Sequence, residues 1–525
     1  PISTGVGINR LNPDEHELQI GASGLGLPDR DYYLEDSERF ETIRTAYKEN
    51  IVTMLGFAGV DEAAAKEQAE AILALETKIA SHHWPRAERR NRDKTLNQMT
   101  YEELKTNYPF DWDNFFEGFG AQVANLNVAH PSAVKSLTAL IDSEDLATWK
   151  AYLTYHSISN NATLLSEDID QANFDFYGKV LRGQTEQRER WKRGVALVGS
   201  NNAGLGEAVG RIYVERYFPE DAKAQVKGLV ENLRTALGAR IESLDWMGDE
   251  TKAKALEKLA AFNPKIGYPD KWRDYDGLEV TAGDLYANSV SLRNYFLRED
   301  LADLNEPTDK DQWFMSPQTV NAYYNPQFNE IVFPAAILQP PFFDPYADAA
   351  VNYGGIGAVI GHEMGHGFDD QGSKSNAKGV QANWWTEEDR ANFEALADKL
   401  VAQYNSYEAL PDAFVDGRFT LGENIGDVGG LSMAYHAYKL SLGGKEAPVI
   451  DGLTGDQRFF LAWAQVWKRK DRDESLLSRL KSDPHSPSEF RVNGVVRNMD
   501  AWYDAFGVTK DDEMYLPEEE RVTIW

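Results

Sequence analysis

Gly355-Ile356-Gly357-Ala358-Val359-Ile360-Gly361-His362-Glu363-Met364-Gly365-His366-Gly367-Phe368-Asp369-Asp370 is the stretch whose reading decides this chain. As a helix it sets His362 and His366 four residues apart on one face, with β-carbons roughly 5–6 Å apart. Two imidazoles at that spacing can reach one metal ion, and Glu363 stands beside them. Everything from Gly354 to Gly361 is apolar or glycine, so the helix is expected to be buried. Buried histidines and acids need partners, and a metal supplies one. Zinc takes neutral imidazole nitrogens in a tetrahedral site, and a catalytic site adds a third protein ligand and a place for water. The spacing is that of HExxH, in which the glutamate acts as general base toward water whose pKa the metal brings to about 7.

Downstream lies Leu421-Gly422-Glu423-Asn424-Ile425-Gly426-Asp427-Val428-Gly429-Gly430-Leu431. Helical spacing places Glu423 and Asp427 on a common face inside an apolar, glycine-rich segment, and buried carboxylates demand charge compensation. Glu423 is expected as the third zinc ligand. Asp427 is expected to accept the outward ring N–H of a ligand histidine. Read alone, the two acids could instead cap a helix N-terminus.

The chain of 525 residues exceeds the size of one ordinary core, so two domains are expected. The boundary falls near residue 284, separating a mainly helical part, 1–284, from a catalytic part, 285–525. Asp and Glu outnumber Lys and Arg by 84 to 54, a formal charge of −30, which argues against nucleic acid or an anionic membrane surface as partner. No cysteine is present, which excludes disulfides, thiol catalysis and cysteine-ligated zinc. No apolar run reaches the roughly 18 residues a membrane helix needs, and Pro1-Ile2-Ser3 opens without a signal-like pattern.

In chain order, Ser37 to Leu55 and Asp61 to Ile79 read as helices, with Asp61 as N-cap. His82 and His83 are adjacent, point about 100° apart in a helix, and read as structural. Glu88 to Lys94 reads as a mixed-charge, solvated helix face, and Pro264 to Tyr275 as an extended connector or short strand. Thr319 to Tyr324 and Glu330 to Phe333 suggest a hairpin or two adjacent strands. Its exposed edge could hold an extended peptide by main-chain hydrogen bonds, with Asn321 as a clamp or merely a turn residue. Thr386 with Asp389 resembles a capping box. His485, in a proline-flanked loop, is a candidate donor to a developing oxyanion. The final apolar residues, ending at Trp525, are expected to tuck into the body.

Together these segments resemble the neprilysin-like metallopeptidases, a gluzincin group that includes the bacterial oligopeptidase O enzymes. The resemblance is carried by Gly26 to Tyr33, Asn321 to Tyr324, Ile331 to Phe343, Val359 to Glu363, His366 to Asp370, Gly422 to Ile425 with Asp427, Gly455 to Phe460, Ala464 to Trp467, and Pro484-His485 with Phe490 to Val492. It implies a mainly α fold with a small β component, in which a thermolysin-like catalytic lobe faces a helical lobe across a cavity that admits oligopeptides. It implies one catalytic zinc on His362, His366 and Glu423, with Glu363 as base, Asp427 orienting His362, and His485 stabilising the oxyanion. Asn321 and Ala322 would bind substrate backbone and Arg491 a substrate carbonyl. Ile337, Phe342, Ala358, Val359, Val466 and Trp467 would line the pocket for the residue just after the scissile bond, which predicts a preference for bulky apolar side chains. Glycine at 365 and 426, where relatives carry a hydroxyl residue and alanine, is expected to loosen helix packing. The resemblance also implies further residues ahead of this start, so a longer native enzyme, a second chain that supplies them, or a fragment is expected. The resemblance points to a periplasmic or otherwise exported enzyme, with a cytoplasmic one as the other option. The competing functions are a peptide-binding or assembly protein that keeps the fold without activity, and a zinc amidase for small non-peptide substrates.

Overall fold

Ser37 and Asp61 open the first two long helices of the N-terminal lobe. In the computed structural model, which describes residues 1–121 and 123–525, the Ser37 hydroxyl accepts the Phe40 N–H and the Asp61 carboxylate accepts that of Ala64. Helices α1 (Glu38–Phe57) and α2 (Glu62–His82) pack on α3 (Pro131–Ser143) and α4 (Leu146–Asn161) around Tyr47, Ile51, Ile72, Leu75 and Leu137. A four-stranded sheet flanks them: β1 (Ile2–Ile8), β2 (His16–Ala22), β3 (Gln98–Thr100) and β4 (Asn125–Val128), in the order β1-β2-β4-β3. His83 is buried, its Nε2 is 3.1 Å from the Ser23 carbonyl oxygen, and burial chiefly lowers its pKa to about 4. It is a neutral structural histidine.

The larger core draws on both sides of residue 284, so packing does not divide the chain at the boundary expected from sequence. Helices α5 (Glu220–Ser243) and α6 (Asp249–Ala260) contribute Val226, Leu233, Leu237 and Leu259 to the same core as Phe333, Ile360 and Leu431. The interval read as an extended connector or short strand begins with a strand, β5 (Asn263–Gly267), parallel to β7 (Glu330–Pro334). Strand β6 (Tyr323–Asn325) pairs antiparallel with β7, Tyr324 opposite Ile331. The expected hairpin exists with a shorter first strand, because Asn321 and Ala322 lie ahead of the ladder. The sheet order β5-β7-β6 leaves β6 at an edge.

The remaining helices surround the HExxH segment. A helical turn, Ala349–Asn352, and a π-helical stretch, Tyr353–Gly357, run directly into α7 (Ala358–His366). Then come α8 (Glu387–Asn405), α9 (Leu421–Ser441), α10 (Gly455–Val466), α11 (Asp473–Ser482) and α12 (Ser488–Val496). Thr386 caps α8 by accepting the Asp389 N–H, while Asp389 turns its carboxylate to Gly248 N and the Thr251 hydroxyl. Trp525 is buried against Trp246, Phe368, Trp385 and Phe393, as its sequence led us to expect. Among the described residues no helix is long and apolar enough to cross a membrane.

Glycines set how closely α7 and α9 approach. A Cβ at Gly361 would stand 2.5 Å from the Gly430 carbonyl oxygen, and one at Gly365 3.2 Å from the Gly426 Cα. Gly365 and Gly426 therefore do not loosen this packing; they let two backbones nearly touch.

Charge joins the lobes. The Glu88 to Lys94 segment, expected to be solvated, is folded against the larger lobe. Arg90 grips Asp370 through two hydrogen bonds of 2.8 and 3.1 Å, Lys374 pairs with Asp93 at 2.6 Å, and the Arg92 amide donates to Gln371 at 2.8 Å. Arg86 spans Asp31 and Asp416. Local charge alternation could not reveal partners nearly 300 positions away.

The α7–α9 contact yields a paired prediction. A Cβ at Gly430 would sit 2.8 Å from the His362 Cα, whereas one at Gly429 meets nothing nearer than 3.6 Å. Gly430→Ala should lower stability by about 1–3 kcal/mol through overpacking, while Gly429→Ala should be neutral or stabilising by up to about 1 kcal/mol of helix propensity. Thermal unfolding of both variants checks this.

Candidate metal centre

Helix α7 presents His362 and His366 on one face, their ring centroids 4.5 Å apart and nearly perpendicular. Helix α9, pressed close by the glycine contact, brings Glu423 between them. Its Oε2 lies 3.2 Å from His362 Nε2 and 3.3 Å from His366 Nε2. The loop between α11 and α12 adds His485, whose Nε2 is also 3.2 Å from that oxygen. Ser486 secures this loop by donating its hydroxyl to Asn424 on α9 at 2.7 Å.

These distances fit zinc. Ligand atoms about 2.0–2.1 Å from a tetrahedral ion stand about 3.3–3.4 Å apart, the spacing seen from Glu423 Oε2 to each helix-borne imidazole. The oxygen is buried without an aligned hydrogen-bond donor. His362, Glu423 and His485 bring one ligand atom each within 4.8 Å of one another, and His366 adds its Nε2 at 3.3 Å from the same Glu423 oxygen. Geometry alone therefore gathers four side chains rather than three.

The field at this point favours positive charge. Burial would depress the His366 pKa, but Glu423 and Asp369 hold it well above the ordinary histidine value. His485 is similarly depressed by burial and raised by Glu423 and Asp483, reaching about 9. Burial would raise Glu423, yet His366 and His485 hold it well below the usual carboxylate range. Glu363 is buried on α7, and that burial outweighs the neighbouring imidazoles, so its carboxyl lies above the ordinary glutamate value.

Each imidazole has a carboxylate behind it. Asp427 Oδ1 lies 2.8 Å from His362 Nδ1, Asp369 Oδ2 lies 2.9 Å from His366 Nδ1, and Asp483 Oδ1 lies 2.7 Å from His485 Nδ1. Asp427 is itself held by Arg491, whose Nε and Nη2 donate to its two oxygens at 2.7 Å each. The Arg491 guanidinium also stacks 3.8 Å from the Trp467 ring centroid. Arg491, expected against a substrate carbonyl, thus commits two of its nitrogens to Asp427. Sequence reasoning gave Asp369 no role, although a carboxylate three positions after a helical histidine is a readable signal.

Asn321 is exposed and Ala322 buried, just ahead of the edge strand β6. Ile337, Ala358 and Val359 belong to the larger core; Phe342, Val466 and Trp467 are partly exposed and pack against it. Ala358 is fully covered, so the open surface nearby is supplied by its larger neighbours.

A buried helix carrying HExxH, crossed by a second helix that delivers a glutamate, with an edge strand alongside, defines a metallopeptidase. Comparison with known proteins narrows this. The model of the peptidase family M13 N-terminal region matches residues 1–269, and that of the family's catalytic region matches residues 321–522. Endothelin-converting enzyme 1 of Rattus norvegicus is 35% identical over 524 residues, covering 96% of this chain and 68% of that protein. The crystal structure of the Mycobacterium tuberculosis zinc metalloprotease Zmp1 in complex with an inhibitor superposes with a TM-score of 0.95 at 46% identity, covering 100% of this chain and 80% of that one. PepO from Lactobacillus rhamnosis gives 0.91 at 29% identity, covering 100% and 82%. The chain belongs to peptidase family M13, the neprilysin-like zinc metallopeptidases.

Arg491 offers a test of what its grip on Asp427 does. Lysine retains the charge but not the two-pronged geometry. Arg491→Lys should weaken zinc binding by about tenfold or more, the usual effect of disturbing a residue that orients a ligand histidine. Unchanged zinc affinity with a raised KM would assign Arg491 to substrate alone.

Proposed function

We propose that this enzyme is an endopeptidase of oligopeptides that cuts on the amino side of bulky apolar residues, with His362, His366 and Glu423 as the ligands of one catalytic zinc. The observation that carries it is the convergence of both α7 imidazoles on Glu423 Oε2 beside the buried Glu363. His362, His366 and Glu423 ride on two interlocked helices, which favours them over the loop-borne His485 as a rigid ligand set. When bound, zinc supplies Lewis acidity, polarising the scissile carbonyl and lowering the pKa of water to about 7.

The chain's own residues supply the rest. Asp369 accepts the Nδ1 proton of His366 and Asp427 sets its negative charge 2.8 Å from His362 Nδ1, which favours an Nε2 lone pair facing the centre on each ring. Glu363, made more basic by burial, takes a proton from the attacking water and passes it to the departing amine nitrogen. His485, with Asp483 on its Nδ1, donates from Nε2 to the oxyanion that develops on the scissile carbonyl. The edge strand β6 offers main-chain groups to an extended peptide, and the exposed Asn321 just ahead of it would clamp the peptide's backbone. The apolar surface of Phe342, Val466 and Trp467 receives the side chain after the cut. Filling such a slot is worth about 1.5–3 kcal/mol.

Glu363→Gln should lower kcat by about a hundredfold or more while leaving zinc content at one ion per chain. Near-normal turnover in that variant would remove Glu363 as the base. In a series of otherwise identical peptides, Phe or Leu after the scissile bond should exceed Asp or Lys in kcat/KM by about ten- to a hundredfold. Equal rates would remove the apolar pocket. Cleavage of small amides in preference to all peptides would favour the amidase reading, and zinc binding without any turnover the inactive peptide-binding one.

A further inference from the structure

Lys258, near the end of α6, is completely buried, and the proposed chemistry does not use it. A buried ammonium is costly unless it is fully compensated. Here its Nζ donates to the carbonyl oxygens of Gly367 at 2.6 Å, Gly372 at 2.8 Å and Ser375 at 2.7 Å. The rings of Tyr324, Phe368 and Trp384 surround it at 5.6–6.0 Å. Burial pushes its pKa well below the ordinary lysine value, yet only the ammonium has the three N–H groups that match three acceptors, all on the main chain of one loop.

That loop starts at the C-cap of α7, Gly367. Carbonyls at a helix C-terminus lack partners within the helix and attract cationic donors. Lys258 supplies such a donor from a different helix, to the carbonyl of the residue directly after His366.

The same loop carries Asp369. One of its oxygens faces His366 Nδ1, and the other accepts the N–H groups of Gln371 at 2.7 Å and Gly372 at 2.6 Å. Gly372 is thus held twice, by its amide to Asp369 and by its carbonyl to Lys258. A Cβ on Gly372 would collide with the His366 carbonyl oxygen, so only glycine lets the loop close back onto α7. Lys258 is fixed in turn: its own carbonyl accepts from Asn329 at 3.0 Å, in the turn between β6 and β7, and Asn329 takes the Tyr324 hydroxyl at 2.9 Å.

We propose that Lys258 is a positioning residue of the metal centre, whose ammonium fixes the loop from Gly367 to Ser375 and, through it, the Asp369 carboxylate that holds His366. The inference rests on the zinc ligation proposed above. It makes the two sides of the centre alike. His362 is backed by Asp427 and then Arg491; His366 is backed by Asp369 and then, through the backbone, Lys258.

The test is zinc affinity, measured on the whole chain by competition with a chelator, in Lys258→Met and Lys258→Gln and with each combined with Asp369→Asn. Lys258→Met should weaken zinc binding by about ten- to a hundredfold, the range seen when residues orienting a ligand are disturbed. Lys258→Gln, which keeps an amide donor, should fall between it and wild type. Either change should add little once Asp369→Asn is present. Wild-type affinity in Lys258→Gln, or effects that add to those of Asp369→Asn, would overturn the proposal and leave Lys258 as a stabilising residue only. If Lys258→Met fails to fold, the Lys258→Gln result decides alone. Zinc binding by the wild type itself tests the underlying ligation separately, so the two failures are distinguishable.

Discussion

Close contact between two helices, made possible by bare backbone, is the constraint on which this structure depends. Glu423 reaches both imidazoles only because α9 lies against α7 with Gly426 and Gly430 facing Gly365 and Gly361. Any side chain at the tightest of these positions would push the carboxylate away from His362 and His366. Glycine in the middle of a helix is unfavourable by up to about 1 kcal/mol. Four of them along one interface are tolerated because the interface sets the distance from Glu423 to the two imidazoles.

The second requirement is charge balance in a dry place. His362, Glu363, Asp369 and Asp427 are all buried, and single buried charges are not stable. The protein answers with chains of opposite charge: imidazole to carboxylate to guanidinium on one side, imidazole to carboxylate to a lysine-held loop on the other. Arg90 from the smaller lobe extends this pattern by neutralising Asp370 next to Asp369. The centre is therefore assembled from both lobes, although every group that touches it comes from the larger one. A displacement of the smaller lobe would remove the partner of Asp370, which links lobe arrangement to the surroundings of His366.

Much of this was legible in the sequence wherever the relevant partners are close along the chain. Helical spacing placed His362 and His366 on one face with Glu363 beside them and Glu423 with Asp427 on a common face of another segment, and N-cap chemistry gave the starts of α2 and α8. Side-chain packing does not follow the expected boundary near residue 284, because α5, α6 and β5 join a core whose other half lies beyond residue 320. Composition does not change where such a long-range association begins. The segment from Glu88 to Lys94 was misread for the same reason: its charges look solvated until Asp370 and Gln371 arrive from the other lobe. Lys258 carried no signal at all, since a lysine in an amphipathic helix is normally exposed. Only the folded chain shows three carbonyls converging on it.

The central claim is that Glu423, delivered by the glycine contact, completes the zinc site begun by His362 and His366. Metal analysis of purified Glu423→Ala beside the wild type tests it most directly. The account predicts one zinc per wild-type chain, and little or none in the variant at equal chelator concentration, with the fold retained by circular dichroism. Full zinc occupancy in Glu423→Ala, with peptide cleavage intact, would contradict it.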